Sequence, residues 1–199
     1  MTDQHGFKDV LNKAKLYLQE AELELLQEAY VFARKAHEGQ RRQSKKPYIT
    51  HPIAVASILC DLEQEAETII GGLLHDTIED TDVTSKKIKE KFGEKISVLV
   101  DGVTKLNKLK FNSQQAAQAE NYRRMFLAMG EDYRVIIIKL ADRLHNMTTL
   151  QFLVPEKQRR IAKETLEIFG PLAHRLGIYS LKWQLEDIAF RYVHPEKFA

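Results

Sequence analysis

The sequence predicts an all-α protein that folds as one compact bundle of about ten helices. Apolar residues recur every three or four positions in one segment after another, which is the spacing of helices with one buried face. No stretch shows the alternation of a clear strand. The chain of 199 residues has only five prolines and nine glycines, too few for the many turns of a β-sandwich or barrel.

The first half of the chain contains predicted helices with recognisable ends. Gly39 ends the second helix, Thr50 can cap the third with Pro52 in its first turn, and Gly93 ends the fifth. The predicted ranges are 7–18, 23–37, 50–62, 66–77, 85–92 and 94–106. Residues 41–48 are a predicted loop, and 107–113 are a predicted mobile loop.

The second half is ambiguous at one place. Residues 133–138 are rich in β-branched side chains, which favours a strand, but helix formers follow up to Met147 without a breaker. We therefore predict one buried helix there. The predicted ranges are 114–129, 133–147, 155–169, 171–177 and 179–192, and we expect Trp183 of the last helix to pack in the core.

Composition excludes several classes of protein. Net charge is +2, so no global field marks a nucleic-acid binder. The single cysteine, Cys60, lies in an apolar run and is predicted to be a core residue, which excludes an internal disulfide and suits a reducing compartment. No apolar stretch approaches the roughly 20 residues needed to cross a bilayer. We expect a soluble, cytoplasmic protein with no membrane partner.

A polar stretch at residues 75–80 follows the apolar run 69–74. On a helix His75 and Glu79 share a face, and Asp76 lies four residues before Asp80. Carboxylates this close repel one another unless a cation or a shared proton relieves them, and imidazole with carboxylate suits a divalent transition metal. The alternative is that the three carboxylates merely end a helix and face water.

Two further residues are candidate metal ligands. His51 is predicted at a helix start with its side chain directed into a cleft, although a lone histidine there is also compatible with a structural hydrogen bond. Asp142 emerges from an apolar helix, and buried carboxylates are rare unless they are paired or bind a metal. Arg143 beside it offers the alternative of a structural ion pair.

The predicted loop contains four positive charges in the six residues from Arg41 to Lys46. Such a charge cluster is commonly a solvated surface. Ser44 and Tyr48 add hydrogen-bonding and stacking groups, a mixture that suits a phosphorylated nucleoside.

Five ordered blocks resemble a known family. They are HPIAVA from His51, HDTIED from His75, DGVTKL from Asp101, KLADRLHNM from Lys139 and PLAHRLGI from Pro171. Together they resemble closely the N-terminal hydrolase domain of the RelA/SpoT homologues, a module of the HD superfamily, over nearly the whole chain. The resemblance implies one HD-type domain over residues 1–199, without the synthetase and regulatory domains of the long family members.

The resemblance implies a metal-dependent enzyme. Its ion would be Mn²⁺, held by His51, His75, Asp76 and Asp142. Its activity would be that of a guanosine-3′,5′-bis(diphosphate) 3′-pyrophosphohydrolase, which converts ppGpp or pppGpp to GDP or GTP and pyrophosphate and so ends the stringent-response signal. Its partners would be the nucleotide and, in a full-length protein, an adjoining synthetase domain.

The remaining site residues are expected from the same resemblance and from their places in the chain. Glu79 and Asp80, one helical turn from the ligands, are predicted to orient or deprotonate the attacking water. The predicted substrate-binding residues are Arg42, Gln43, Ser44, Tyr48, Asn146 and Thr149, with Arg42 and Ser44 on phosphate and Tyr48 packed on the nucleoside. Asn146 and Thr149 are expected at the base or ribose.

The chain departs from the family pattern near the expected substrate. Gln43 stands where a lysine is usual, Lys45 and Lys46 where a Gly-Glu pair is usual, and Thr148 where an arginine is usual. These departures concern phosphate and base contacts rather than the metal ligands. Two rival functions remain at this point: an HD phosphohydrolase for another nucleotide, such as a 5′-nucleotidase or an NADPH phosphatase, and a non-catalytic regulatory module.

Overall fold

The computed structural model describes residues 3–107 and 132–198. Within these residues all regular elements are helices apart from one isolated bridge between Arg41 and Pro47, which confirms the all-α prediction. The described residues divide into two compact units, one of 3–107 with 132–138 and one of 139–198. That the two units form a single HD domain stays a prediction, and the helix predicted at 114–129 and most of the loop predicted at 107–113 lie outside the described residues.

The first unit is organised around a short apolar helix, α4. Every residue of α4 except Glu67 is buried, and helices α2, α3 and α7 pack against it. The helices of this unit are α1 Asp3–Ala14, α2 Glu20–Ala36, α3 Thr50–Asp61, α4 Ala66–Leu74, α5 Thr77–Asp80, α6 Ser85–Phe92 and α7 Glu94–Asn107. Cys60 is buried in the same core, as predicted, and burial raises the pKa of its thiol to about 11.

Three predicted features of the first unit differ in the structure. The first helix, predicted over 7–18, is Asp3–Ala14. Thr50 does not cap α3; it is the first helical residue, and its hydroxyl donates to the carbonyl of Pro47 at 2.8 Å. The helix predicted over 66–77 ends at Leu74 and resumes as α5 at Thr77. Helix α6 does begin with a side-chain cap, because the Thr84 hydroxyl accepts the backbone N–H of Lys87.

One long helix, α8 (Arg134–Thr148), runs from the first unit into the second. Asp132 begins it by accepting the backbone N–H of Arg134 at 3.0 Å. The β-branched residues 135–138 are buried and helical, although such side chains favour strands. The prediction of one buried helix is therefore confirmed.

The elements of the second unit are a 3₁₀ turn Leu150–Phe152, α9 Pro155–Glu164, a π-helical turn Thr165–Phe169, α10 Gly170–Arg175, α11 Tyr179–Val193 and α12 Pro195–Phe198. Helices α9 and α10 both pack against α11. The core prediction for Trp183 is wrong, since its side chain is 67% exposed with the Lys182 ammonium over its ring. Trp183 lies two residues from buried Leu181 on α11, a spacing that places the two on opposite sides of a helix.

Candidate metal centre

His75 lies at the end of α4, where the helix is interrupted by side-chain hydrogen bonds. Its Nδ1 lies 2.8 Å from the carbonyl of Gly72, and the Thr77 hydroxyl donates to the carbonyl of Leu74 at 2.7 Å. In an uninterrupted helix these carbonyls would accept backbone N–H groups four residues on. The break after Leu74 therefore follows from the local side chains, and it leaves His75 and Asp76 as a turn between two helices.

The bond to Gly72 fixes the orientation of the His75 ring. A carbonyl can only accept, so Nδ1 carries the proton and the neutral ring has its lone pair on Nε2. This Nε2 lies 3.1 Å from Oδ2 of Asp76. A nitrogen lone pair and a carboxylate oxygen at this distance require a proton or a metal ion between them.

His51 reaches the same carboxylate from the first turn of α3. Its Nε2 lies 3.5 Å from Oδ2 of Asp76, and its ring centroid lies 5.1 Å from that of His75. Both imidazoles are buried, and Asp76 is 8% exposed. Burial by itself would raise the pKa of Asp76, but the His75 and His51 imidazoles beside it, when protonated, hold that pKa well below its ordinary value.

Asp142 lies on α8, in the second unit, with both carboxylate oxygens bonded. Lys139 Nζ lies 2.6 Å from Oδ2, and Asn146 Nδ2 donates to Oδ1 at 2.6 Å. The alternative ion pair between Asp142 and Arg143 is therefore wrong: Arg143 instead pairs with Glu164 at 2.9 Å. Lys139 is three residues from Asp142 and shares its helical face, whereas adjacent residues point apart.

His51 and His75 of the first unit and Asp142 of the second unit carry donor groups suited to a metal ion. Each of the three side chains is buried and offers one ligand atom. Two imidazole nitrogens and a carboxylate oxygen are the donor types that Mn, Fe, Zn or Ni accept. Together with Asp76, these residues are the four that the sequence singled out as ligands.

The two predicted catalytic carboxylates are both exposed, at the rim of the turn. Asp80 is tied back to it, since its backbone N–H donates to the carbonyl of Asp76 at 2.9 Å and its Oδ2 accepts the Tyr48 hydroxyl at 2.7 Å. The four-residue spacing of Asp76 and Asp80 is thus kept despite the helix break. A catalytic role for Glu79 and Asp80 stays a prediction.

The basic loop, residues 41–47, is a tight reversal, as predicted for a loop. The Arg42 N–H donates to the carbonyl of Lys46 at 3.0 Å, and Lys45 sits in the left-handed region with φ 63°. The Arg42 guanidinium lies 5.9 Å from the centre of the Tyr48 ring. Gln43 is exposed and Ser44 is half-buried, and contacts of any of these side chains with a substrate stay predictions.

On α8 and just after it, the other two predicted substrate residues are half-buried. The Asn146 amide donates to Asp142, so it supports a predicted metal ligand. The Thr149 hydroxyl lies 3.2 Å from the carbonyl of Asn146 and donates to it, which leaves its oxygen to accept a hydrogen bond.

Sequence reasoning missed His37 and Gln40. His37 is 3% exposed, its Nδ1 lies 2.8 Å from Oε1 of Gln40, and its ring stacks on Tyr48. Burial lowers the pKa of His37. The available signal was a histidine that follows the apolar side of α2 as its C-cap, where a buried polar side chain needs a partner.

Residues 29–179 match the model of the HD domain family. The chain is 52% identical over 192 residues to the bifunctional (p)ppGpp synthase/hydrolase SpoT of Escherichia coli, an alignment of 96% of this chain and 27% of that protein. It is 58% identical over 168 residues to the guanosine-3′,5′-bis(diphosphate) 3′-pyrophosphohydrolase of Haemophilus influenzae, 84% of this chain and 25% of that protein. The chain thus spans about a quarter of the length of these curated relatives.

A solved structure is similar over most of the chain. It is described as a metazoan ortholog of SpoT that hydrolyses ppGpp and plays a role in starvation responses. The TM-score is 0.63 at 26% sequence identity, and the match covers 88% of this chain and 96% of the other.

Proposed function

The chain belongs to the HD domain family, and from this we propose that it is a metal-dependent guanosine-3′,5′-bis(diphosphate) 3′-pyrophosphohydrolase. Its substrates would be ppGpp and pppGpp. The observation that carries the proposal is the buried donor set, in which the Nε2 lone pair of His75 faces the carboxylate of Asp76 at 3.1 Å. The names of relatives more than 50% identical over most of this chain supply the substrate.

The residues present fit a divalent cation. His75 commits its one ring proton to Gly72, so a neutral ring has no proton to place between Nε2 and Asp76. We assign His51, His75, Asp76 and Asp142 as the ligands and Mn²⁺ as the ion. When bound, the ion supplies a Lewis acid that acidifies water and neutralises phosphate charge.

Hydrogen bonds behind the ligands would fix their orientation. The Gly72 carbonyl sets the tautomer of His75, and Asn146 holds one oxygen of Asp142. Lys139 holds the other oxygen and offsets part of the negative charge of the ligand set. Such partners typically contribute 10- to 100-fold to metal affinity or activity.

The exposed rim would perform the proton transfers. Glu79 and Asp80 lie within one turn of Asp76 and have access to solvent, so either can take a proton from the attacking water and release it. In the reaction one water is consumed, the 3′ ester bond of ppGpp breaks, and GDP and one pyrophosphate leave. Asp80 is the better-placed of the two to orient the water, since it is tied to Tyr48.

The basic loop would hold the charged end of the substrate that does not react. Arg42, Gln43 and Ser44 are proposed for phosphate. Asn146 and Thr149 are proposed for the base or ribose. Because exposed charge contacts are screened over roughly 10 Å at 0.1 M salt, Arg42→Ala should weaken ppGpp binding more at low salt than at high salt.

The setting of the enzyme is also a proposal. A synthetase domain would adjoin this one in a full-length protein, as the name of the Escherichia coli relative indicates for that protein. Among the helices of the described ranges, none combines the length and apolar character that crossing a membrane requires. A cytoplasmic location stays a prediction.

The test is product analysis. The Mn²⁺-loaded protein is incubated separately with ppGpp and with NADPH, and the products are resolved by anion exchange. We expect GDP and pyrophosphate in equal amounts from ppGpp, and no reaction with Asp76→Asn, which keeps the size of the side chain and removes its charge. Release of orthophosphate, or a clear preference for NADPH, would favour the rival phosphatase, and no turnover of either compound would favour a regulatory module.

A further inference from the structure

The hydroxyl of Tyr48 lies between two carboxylates of the metal centre. It is 2.8 Å from Oδ2 of Asp76 and 2.7 Å from Oδ2 of Asp80. Oδ2 of Asp76 is also the oxygen that approaches His75 and His51. One phenol therefore contacts both a proposed metal ligand and a proposed catalytic group. Its single proton is donated to one of the two oxygens at a time, so the other close contact needs a proton shared between the two carboxylates.

The ring of Tyr48 is itself held in place. His37 stacks on one face, with ring centroids 4.6 Å apart and planes inclined by 24°. His37 is buried and is bonded through Nδ1 to Oε1 of Gln40. The ring therefore cannot turn without displacing a buried neighbour, so the position of the hydroxyl is set by packing.

Gln40 makes a second connection to the same carboxylate residue. The side-chain Nε2 of Gln40 donates to the backbone carbonyl of Asp80 at 2.7 Å. The backbone carbonyl of Gln40 accepts the backbone N–H of Tyr48 at 3.0 Å. Gln40 and Tyr48 are the residues on either side of the basic loop. Both residues that flank the loop thus bond to Asp80. Gln40 bonds to its backbone carbonyl, and Tyr48 bonds to its side-chain carboxylate.

We propose that Tyr48 is a positioning residue of the metal centre, held by His37 and Gln40, rather than a surface on which the nucleoside packs. Its hydroxyl would orient Asp76 toward the ion and keep Asp80 beside the reacting water. The inference rests on the proposed function for its effect on turnover, but its effect on metal binding stands by itself. The bonds of Tyr48 and Gln40 to Asp80 also connect the basic loop to the metal centre, so that a movement of the loop moves Asp80.

The decisive variant is Tyr48→Phe, which keeps the ring and its stacking on His37 and removes the hydroxyl. The matched control is Tyr30→Phe, a tyrosine of the same unit whose ring stacks on Phe7 at 4.0 Å. Calorimetric titration of the metal-free full chain with Mn²⁺, without nucleotide, should show about 10-fold weaker binding in Tyr48→Phe and no change in the control. Full wild-type Mn²⁺ affinity in Tyr48→Phe would overturn the role toward Asp76.

Steady-state kinetics separate positioning from substrate packing. For Tyr48→Phe we expect kcat for ppGpp to fall about 10-fold or more with KM within about twofold. If the ring instead packs on the nucleoside, Tyr48→Phe would keep wild-type kcat and KM, while Tyr48→Leu would raise KM alone, and that pattern would overturn the proposal.

A second variant keeps the proposal testable if Tyr48→Phe folds poorly. Gln40→Met has a similar volume and loses the bonds to His37 and to the Asp80 carbonyl, at a half-buried position. We expect a lower kcat at unchanged KM, and unchanged kcat would count against the coupling of loop and centre. If wild type binds Mn²⁺ but releases no pyrophosphate, while Tyr48→Phe still weakens Mn²⁺ binding, the proposed substrate fails and the positioning role survives.

Discussion

The separation of α3 and α4 depends on the absence of a side chain at Gly72. A Cβ built there would lie 2.4 Å from Cδ1 of Leu59 and 3.4 Å from Cγ1 of Val55, both on α3. Helix α3 carries His51, and α4 leads directly into His75. Gly72→Ala should therefore disturb the packing of two helices and the spacing of two proposed ligands together.

The size of the effect follows from two opposing terms. Ordinary carbon contacts lie at about 3.5–4.0 Å, so the Leu59 methyl must move by roughly 1 Å. Leu59 is completely buried and has no solvent to move into, and overpacking of this kind costs about 1–3 kcal/mol. Alanine in place of glycine within a helix returns about 1 kcal/mol. The net loss is about 0–2 kcal/mol with its centre near 1 kcal/mol, and each kcal/mol lowers the melting temperature of a chain of this size by roughly 2–4 °C.

The assay is thermal melting of the metal-free protein, followed by Mn²⁺ titration. Gly72→Ala should melt lower and bind Mn²⁺ more weakly than wild type. The control is Gly6→Ala on α1, where the added Cβ meets Cγ2 of Ile53 at 3.3 Å and needs a small adjustment. Gly6→Ala should leave Mn²⁺ affinity unchanged.

The double variant Gly72→Ala with Leu59→Ala tests the cause. Leu59→Ala alone should cost about 2–5 kcal/mol, but it removes the atoms that the new Cβ meets. The two changes should then be less harmful together than the sum of the single effects, by about 1 kcal/mol or more. Additive losses, or a Gly72→Ala protein with wild-type stability and Mn²⁺ affinity, would refute this account of the glycine.

Three further predictions concern the centre itself. Asp142→Ala should reduce the amount of bound Mn²⁺ and abolish ppGpp turnover. The variant should also lose the stabilisation that Mn²⁺ gives the folded protein, which is about 2.7 kcal/mol when the free Mn²⁺ concentration is 100 times the dissociation constant. Full Mn²⁺ occupancy in this variant would remove Asp142 from the ligand set. Glu79→Gln should bind Mn²⁺ like wild type yet turn over about 10²–10⁴-fold more slowly, so near wild-type turnover would show that Glu79 does not transfer the proton. Burial holds the pKa of His37 in the folded protein below its ordinary value. Below about pH 6.5 the unfolded state therefore binds more protons than the folded state, and the stability of the metal-free protein decreases as the pH decreases. In urea unfolding, His37→Phe should therefore lose less stability than wild type between about pH 7.5 and 5.5, and equal losses would contradict this assignment.

Helical periodicity was enough to predict most of the described fold. The clearest case is α8, where β-branched residues argued for a strand and the unbroken run of helix formers to Met147 argued correctly for a helix. Periodicity failed where side chains intervened. Nothing in the spacing of residues 66–77 indicates that the His75 ring and the Thr77 hydroxyl take two backbone carbonyls and end the helix at Leu74.

One error and one open alternative show rules that the sequence already made available. Trp183 was assigned to the core by its hydrophobicity, although it lies two residues from Leu181, on the opposite side of the helix from that buried residue. Arg143 was considered as a partner of Asp142 because the two are adjacent. On a helix, partners lie three or four residues away, and both actual partners, Lys139 and Asn146, have this spacing.

The contacts of Tyr48 could not be predicted from local sequence rules, because its partners are distant in the sequence. Its hydroxyl meets carboxylates 28 and 32 residues along the chain, and its ring stacks on a histidine that precedes the basic loop. A tyrosine beside a cationic loop has the composition of a nucleotide-binding surface, which predicts that Tyr48 packs on the nucleoside. Which of its two faces meets protein, and where its hydroxyl points, depends on how α2, α3 and the turn after α4 pack. In the folded unit the Tyr48 hydroxyl therefore joins the basic loop to the carboxylates of Asp76 and Asp80, while packing of its ring on a nucleoside stays a prediction.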